Sequence, residues 1–189
     1  MRRCLHSHLQ QVHGLPPRAI IVDELGLCQG SVRVDVAVVN ERLHGYEIKT
    51  DRDSLERLRH QAVVYGESLE MASLVAAERH LHRALSVLPA WWGIGVAGVT
   101  RESVCIDWYR LPEPNPDVEP AALAQLLWRD EVMGCLIQLG LAEGLRSKPR
   151  SALWASLVEA LSLDELSSVV RSAIKARGDW RSRGSGNSV

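Results

Sequence analysis

The run Ser31-Val-Arg-Val-Asp-Val-Ala-Val-Val-Asn40, followed by His44-Gly-Tyr-Glu-Ile-Lys-Thr50, decides how this chain is read. Valine stands at 32, 34, 36 and 38, with Arg33, Asp35, Ala37 and Val39 between. A period of two is that of a β-strand, whose side chains alternate between faces. Residues 40–43 read as a turn, and residues 44–50 as the returning strand. A three-residue loop places Asp35 opposite Glu47, and Lys49, two residues on, shares the face of Glu47. The hairpin is therefore predicted to turn the four valines, Tyr46 and Ile48 to the core. Arg33, Asp35, Glu47 and Lys49 fall on the other side.

Two carboxylates that close repel each other unless one is protonated or a cation lies between them. Their hard oxygens, with water completing the shell, suit Mg²⁺ or Mn²⁺. A bound divalent ion acidifies its water, and a neighbouring lysine can orient that water or help deprotonate it. The chemistry implied is metal-assisted hydrolysis, most naturally of a phosphodiester. The same pattern also describes a solvated face of an edge hairpin crossed by ion pairs.

Working outward, residues 2–13 read as a short polar helix. Pro16-Pro17 is predicted to open a second helix that stops near Gly26, with Glu24 in its last turn. Asp53-Ser-Leu-Glu56 fits a capping box for a helix reaching about residue 69. Residues 71–77 read as a buried strand, 78–88 as a helix ended by Pro89, and 91–99 and 103–111 as strands. Trp91 and Trp92 read as core. Residues 112–120 hold four prolines in nine positions and read as a stiff linker. Helical patterns follow at 121–139, 149–161 and 162–176, with Trp128 and Trp154 in their core. The order predicts an α/β fold with a mixed sheet. Residues 1–111 are its core, 112–120 a proline-rich linker, 121–177 a helical appendage and 178–189 a disordered Gly/Ser/Arg-rich tail.

Composition narrows the function classes. The 189 residues carry 22 Lys+Arg against 23 Asp+Glu, so any polyanion must be met by a local basic patch. Arg146-Ser-Lys148-Pro-Arg150, at a predicted helix start, is such a patch and is expected to grip phosphates. The four cysteines form no CxxC and read as buried thiols of a reducing compartment. Neither a signal-peptide core nor an apolar run of about 20 residues is found, so a cytoplasmic protein with no membrane partner is expected. No Gly-rich phosphate loop or Ser/His/Asp elbow supports another enzyme class. His6, His8 and His13 near Cys4 match no zinc-finger spacing, and His80 and His82 read as helix-surface residues. The cations are almost all arginine; Lys49, Lys148 and Lys175 are the only lysines.

Asp35 followed by Glu47-Ile48-Lys49 on the next strand resembles the PD-(D/E)XK nuclease superfamily. Glu24 is similar to the glutamate that many members carry on the helix before the first strand. Gln61-Ala-Val-Val-Tyr65 resembles the QxxxY motif of the RecB-like branch, and Gly45-Tyr46 fits that branch too. The likeness covers residues 16–99, about half the chain, with Val34 where many members have proline. It implies a small stand-alone bacterial or phage member with a restriction-endonuclease-like mixed sheet flanked by helices, and a C-terminal helical appendage. The implied activity is a divalent-metal-dependent DNA nuclease in repair, recombination or defence. Mg²⁺ or Mn²⁺ would be held by Glu24, Asp35, Glu47 and the Ile48 carbonyl. Lys49 would position or activate the water, and Gln61 would orient the site. Tyr65 would contact the nucleic-acid backbone or simply pack in the core. Arg33 would bind phosphate or neutralise Asp35. DNA is the implied partner, and a homodimer would let two single sites cut two strands. The other reading is a catalytically silent nucleic-acid-binding or assembly module on the same fold.

Overall fold

The computed structural model describes residues 1–13, 19–99 and 104–177. The alternating run becomes β2 (Val32–Val39) and its return β3 (Leu43–Lys49). Their pairs Val36↔Tyr46, Ala37↔Gly45, Val38↔His44 and Val39↔Leu43 are the register imposed by a three-residue loop. Asn40 closes that loop, its side-chain oxygen accepting from the Arg42 N–H at 3.0 Å. One step further the register sets Asp35 against Glu47. The ladder ends at Val36, however, and Asp35 instead accepts the Ile48 N–H through Oδ2 at 2.8 Å.

The helix expected to end near Gly26 is not formed. Ile20–Leu27 is a strand, β1, antiparallel to β2 from Ile20↔Val39 to Leu27↔Val32. Pro16 and Pro17 lie outside the described residues. Ile20, Ile21 and Val22 are β-branched and fit a pleated surface better than a helix. The free edge of β2 supplied the ladder, a partner that local periodicity does not reveal. Glu24 therefore sits on a strand, opposite Asp35 in the β1–β2 register.

The two strands change face together at this point. Val22, Leu25 and Leu27 of β1 join one core, as do Val32, Val34, Ala37 and Val39 of β2. Val36 and Val38 join the core on the opposite face. Strict alternation thus breaks around Glu24 and Asp35, and Glu24 carries a left-handed φ of 55°. The expectation that all four valines share one face is corrected accordingly. Irregular strand segments of this kind re-aim side chains.

α2 (Leu58–Ser68) carries the chain to β4 (Met71–Ala76), parallel to β3. A 3-10 turn at Glu78–His80 and α3 (Leu81–Val87) lead to β5 (Gly93–Val99), parallel to β4, and β6 (Val104–Arg110) returns antiparallel. The sheet order is β1-β2-β3-β4-β5-β6, so β3 is internal. α1 (Arg2–His13) covers one face through Leu5 and Leu9. On the other, the Leu58, Ala62 and Tyr65 side of α2 joins the larger core. A Cβ on Gly45 would stand 2.5 Å from the Leu69 side chain, which is why glycine occupies β3 there. Asp53 does not cap α2. It accepts from the Thr50 N–H and hydroxyl, closing the turn after β3, and the helix starts at Leu58.

Four helices follow: α4 (Pro120–Ala124), α5 (Arg129–Gln138), α6 (Arg150–Ala160) and α7 (Leu163–Ala176). The single helix expected over 121–139 is broken at Trp128, which is extended (φ −73°, ψ 159°), and Glu131 caps the new start by accepting the Trp128 N–H at 2.7 Å. Residues 112–120 run along the core. Asn115 Nδ2 donates to the Gly66 and Leu69 carbonyls at 2.6 and 2.7 Å. Leu123, Leu127, Leu136, Leu153, Leu157 and Val170 share one buried cluster with Tyr65 and Trp92. The fold is α/β, a six-stranded mixed sheet flanked by helices, with helices at its C-terminal end, as expected. Among the described residues no helix is long and apolar enough to cross a membrane. Residues 178–189, expected to be disordered, lie outside the described residues.

Candidate active site

Because β3 is internal, the face bearing Glu47 and Lys49 is covered by α2 rather than by water. Glu47 is 2% exposed and Lys49 6%. Lys49 Nζ lies 2.7 Å from Glu47 Oε1. α2 supplies two braces one helical turn apart. Gln61 Nε2 donates to Glu47 Oε1 at 2.7 Å, and the Tyr65 hydroxyl donates to Glu47 Oε2 at 2.6 Å. The Gln61 carbonyl oxygen in turn accepts from Lys49 Nζ at 3.3 Å. Glu47, Lys49, Gln61 and Tyr65 therefore form one closed network. A solvated ion pair on an edge hairpin is excluded.

Tyr65 is fully buried and stacks on Trp92 with ring centroids 5.3 Å apart. It cannot meet nucleic acid and instead fixes Glu47. Burial, and after it the charge of Glu47, hold its phenol well above the usual value.

Asp35 is the second carboxylate. Burial, then the charge of Glu47, push its carboxyl above the ordinary range, while the Ile48 N–H and Arg2 oppose that rise. Arg2, the first residue of α1, carries no motif in the sequence, yet its Nη2 lies 2.9 Å from Asp35 Oδ1 and 2.6 Å from Glu24 Oε1. One guanidinium thus bridges two of the three expected metal-binding carboxylates. The cation beside Asp35 is Arg2; Arg33 is exposed and lines a cleft that faces the C-terminal helices. The only sequence signal for Arg2 is the Leu5/Leu9 spacing that docks α1 on the sheet.

The remaining expectations divide. Arg150 lines the same cleft as Arg33 and Glu24. Arg146 and Lys148 are exposed outside its lining, with their backbone carbonyls held by Arg129 at 2.6 and 2.7 Å. Trp154 is core, but Trp128 is 45% exposed, because the break between α4 and α5 leaves it outside both helices. His80 is 7% exposed, its Nε2 2.9 Å from the Thr50 carbonyl oxygen, so it is not a surface residue.

Chemically, the arrangement can hold a carboxylate, an ammonium and an amide in fixed relation, with a second, electrostatically strained carboxylate at the end of the β2–β3 ladder. Among the described residues, no three His, Cys, Asp or Glu side chains converge as a ready metal cage.

The chain is 36% identical over 66 residues to "Protein cII" of Enterobacteria phage P4, a match covering 35% of this chain and 25% of that protein. The chain thus spans about a quarter of the length of this curated relative. A solved structure of a Silicibacter pomeroyi protein of unknown function aligns over 78% of this chain and 94% of its own, with 18% identity and a TM-score of 0.46. The family model described as "Bacteriophage P4 protein cII" matches residues 4–184, nearly the whole chain, which therefore belongs to the bacteriophage P4 protein cII family.

Proposed function

We propose that this protein is a divalent-metal-dependent DNA nuclease that hydrolyses phosphodiester bonds, with a role in DNA repair, recombination or defence. The observation that carries this reading is the buried Glu47–Lys49 pair, braced by Gln61 and Tyr65 and set beside the raised carboxyl of Asp35. A buried ion pair is a poor stabilising device, since apolar residues of similar volume often do as well. Buried charge adjoining a second, perturbed carboxylate is instead the usual signature of a functional site.

The donor set suits Mg²⁺ or Mn²⁺. Asp35 and Glu47 offer hard oxygens, Glu24 stands opposite Asp35, and Arg2 already sets a cation against two of these groups. Mg²⁺ is commonly held by one or two carboxylates with water in the remaining positions, so a three-residue cage is not required. When bound, the ion would supply an acidified water and positive charge for the developing phosphate oxygens. The chain's own residues do the rest. Gln61 and Tyr65 prevent Glu47 from rotating, the Ile48 N–H holds Asp35 Oδ2, and the Lys49 ammonium is the group that orients the attacking oxygen and favours its ionised form.

The test is cleavage of linear, circular, single-stranded and branched DNA with Mg²⁺ or Mn²⁺. Wild type is expected to cut at least one of these, and chelation to abolish cutting. One observation favours a silent nucleic-acid-binding module instead: both oxygens of Glu47 are already satisfied by protein groups. DNA binding with no cleavage under any divalent ion would select that reading.

A further inference from the structure

Between the outer strands and the C-terminal helices lies a cleft of about 350 Å³. Its lining comes from three remote parts of the chain. β1 and β2 contribute Glu24 and Arg33. The α4–α5 break contributes Trp128. The ends of α6 and α7 contribute Arg150 and Arg177. Glu24 is the one carboxylate among these lining residues, and Arg2 holds it. The same Arg2 group touches Asp35, so the cleft adjoins the proposed catalytic carboxylates.

Trp128 is unusual for an exposed aromatic in being held in place. Arg177 lies over its ring, 4.2 Å from the centroid. Arg177 is itself fixed by Glu131 at 2.8 and 2.7 Å and by the Leu126 carbonyl at 2.6 Å. One face of the indole is thus covered by a guanidinium, while 45% of the residue remains exposed. Arg33 and Arg150 are exposed and line the same cleft. Two of the lining residues, Glu24 and Gln29, have left-handed φ of 55° and 58°, a conformation that persists where the surroundings enforce it and that clusters at ligand clamps.

We propose that this cleft seats an unpaired nucleotide of single-stranded DNA, its base stacked on Trp128 and its phosphates on Arg33 and Arg150. The inference deepens the nuclease reading and rests on DNA being the substrate. Size and chemistry both point to a single strand. The volume is at the small end of the roughly 300–1,000 Å³ of small-ligand pockets. Bases in a duplex are stacked on one another and present no free face to Trp128. Aromatic stacking together with arginine contacts to phosphate is how single strands are held without sequence readout.

The experiment is fluorescence anisotropy of labelled oligo(dT) on the full chain in EDTA, so that no cleavage step enters. Trp128→Ala should weaken binding about ten-fold, and Trp128→Phe should retain most of it. Arg33→Ala/Arg150→Ala should lower the slope of log K against log salt by about 1.4, since each single-strand phosphate contact contributes about 0.7. Duplex binding should not change with Trp128→Ala. Unchanged oligo(dT) affinity and salt slope in both variants, with far-UV circular dichroism and Tm showing them folded, would overturn the cleft. An equal loss for duplex and oligo(dT) would overturn its single-strand character. Cleft-dependent oligo(dT) binding without cleavage in any divalent ion would support the cleft and remove the nuclease reading. Cleavage by wild type that is insensitive to both variants would do the reverse. No binding of wild type to any DNA would overturn both.

Discussion

The Glu47 site and the Trp128 cleft are constructed in opposite ways. The first is sealed: its two charged groups sit on one internal strand and their neutral braces on one helix, all within 18 residues of each other, and they satisfy one another. The second is open: its cations and its aromatic ring come from segments as far apart in the chain as Arg33 and Arg177, and several of its polar groups face solvent. Arg2 and Glu24 lie where the two regions meet. Under the proposed function the contrast would separate two jobs. Fixed geometry at buried charges suits bond chemistry, where preorganised groups count most. An open cationic groove suits a long polyanion that must enter and leave.

The sharpest way to break this division is Lys49. Lys49→Ala is expected to lower single-turnover cleavage by roughly 10²–10³-fold, the usual range for losing one preorganised donor at a reacting oxygen, while oligo(dT) affinity stays near wild type. Lys49→Arg should rescue poorly, because a guanidinium is bulkier. Equal cleavage by all three proteins would take Lys49 out of the chemistry.

Stability gives the next largest effect. Glu47→Ala leaves the Lys49 ammonium buried without its partner and should cost about 3–5 kcal/mol in urea denaturation. Replacing both residues by leucine should recover most of that loss, as buried pairs commonly allow. A cost of about 1 kcal/mol or less for Glu47→Ala would mean that the site behaves like a surface pair and is not sealed.

A smaller effect tests whether the helices that wall the cleft are anchored to the core. Asn115→Ala removes both bonds to the end of α2 and leaves the Gly66 and Leu69 carbonyls without that donor. It should cost about 1–3 kcal/mol by the same denaturation, and should reduce oligo(dT) affinity if the cleft depends on that strap. No change in stability would make residues 112–120 a free spacer.

The smallest effect is a pH dependence where the regions meet. The Asp35 carboxyl is raised above its ordinary value, so the folded state binds that proton more tightly than the unfolded chain does. Its contribution to stability is present below the ordinary carboxylate pKa and is lost as pH rises through the raised one. Tm against pH should therefore fall across that window in wild type and flatten in Asp35→Asn. Arg2→Ala should move the window to higher pH, because Arg2 opposes the rise. Mn²⁺ should offset the fall most at the upper end of the window, where Asp35 is ionised. Identical profiles for wild type and Asp35→Asn would show that Asp35 is not the strained member.

Much of the sealed site was legible because its order is local. Asp35 precedes a three-residue loop, Glu47 and Lys49 are two apart on the return, and Gln61 and Tyr65 are four apart on the next helix. Strand spacing puts Lys49 on the face of Glu47, and the observed register is the expected one; Gln61 and Tyr65 are drawn to the site only by the resemblance to the QxxxY motif, because helical spacing by itself reads them as a solvated and a core residue. The cleft was legible only in fragments. Arg33 and Arg150 drew attention as cations, but Trp128 reads as core in any helical pattern spanning 121–139. Its exposure follows from a helix break capped by Glu131, which Asp130 and Glu131 in a first turn signal only weakly.

By itself, the sequence determined the hairpin, its register and the order of strands after it. Side-chain alternation, loop length and helical pitch are properties of the local backbone, and these features need nothing else. The tertiary structure alone decided that Ile20–Leu27 pairs as a strand and that β1 and β2 switch face at Glu24 and Asp35. It also decided that Arg2 bridges those two carboxylates and that Trp128 faces a cleft. Each of these depends on which remote surface removes a group from water or supplies its hydrogen-bond partner. That is a contest between distant segments which no local period records.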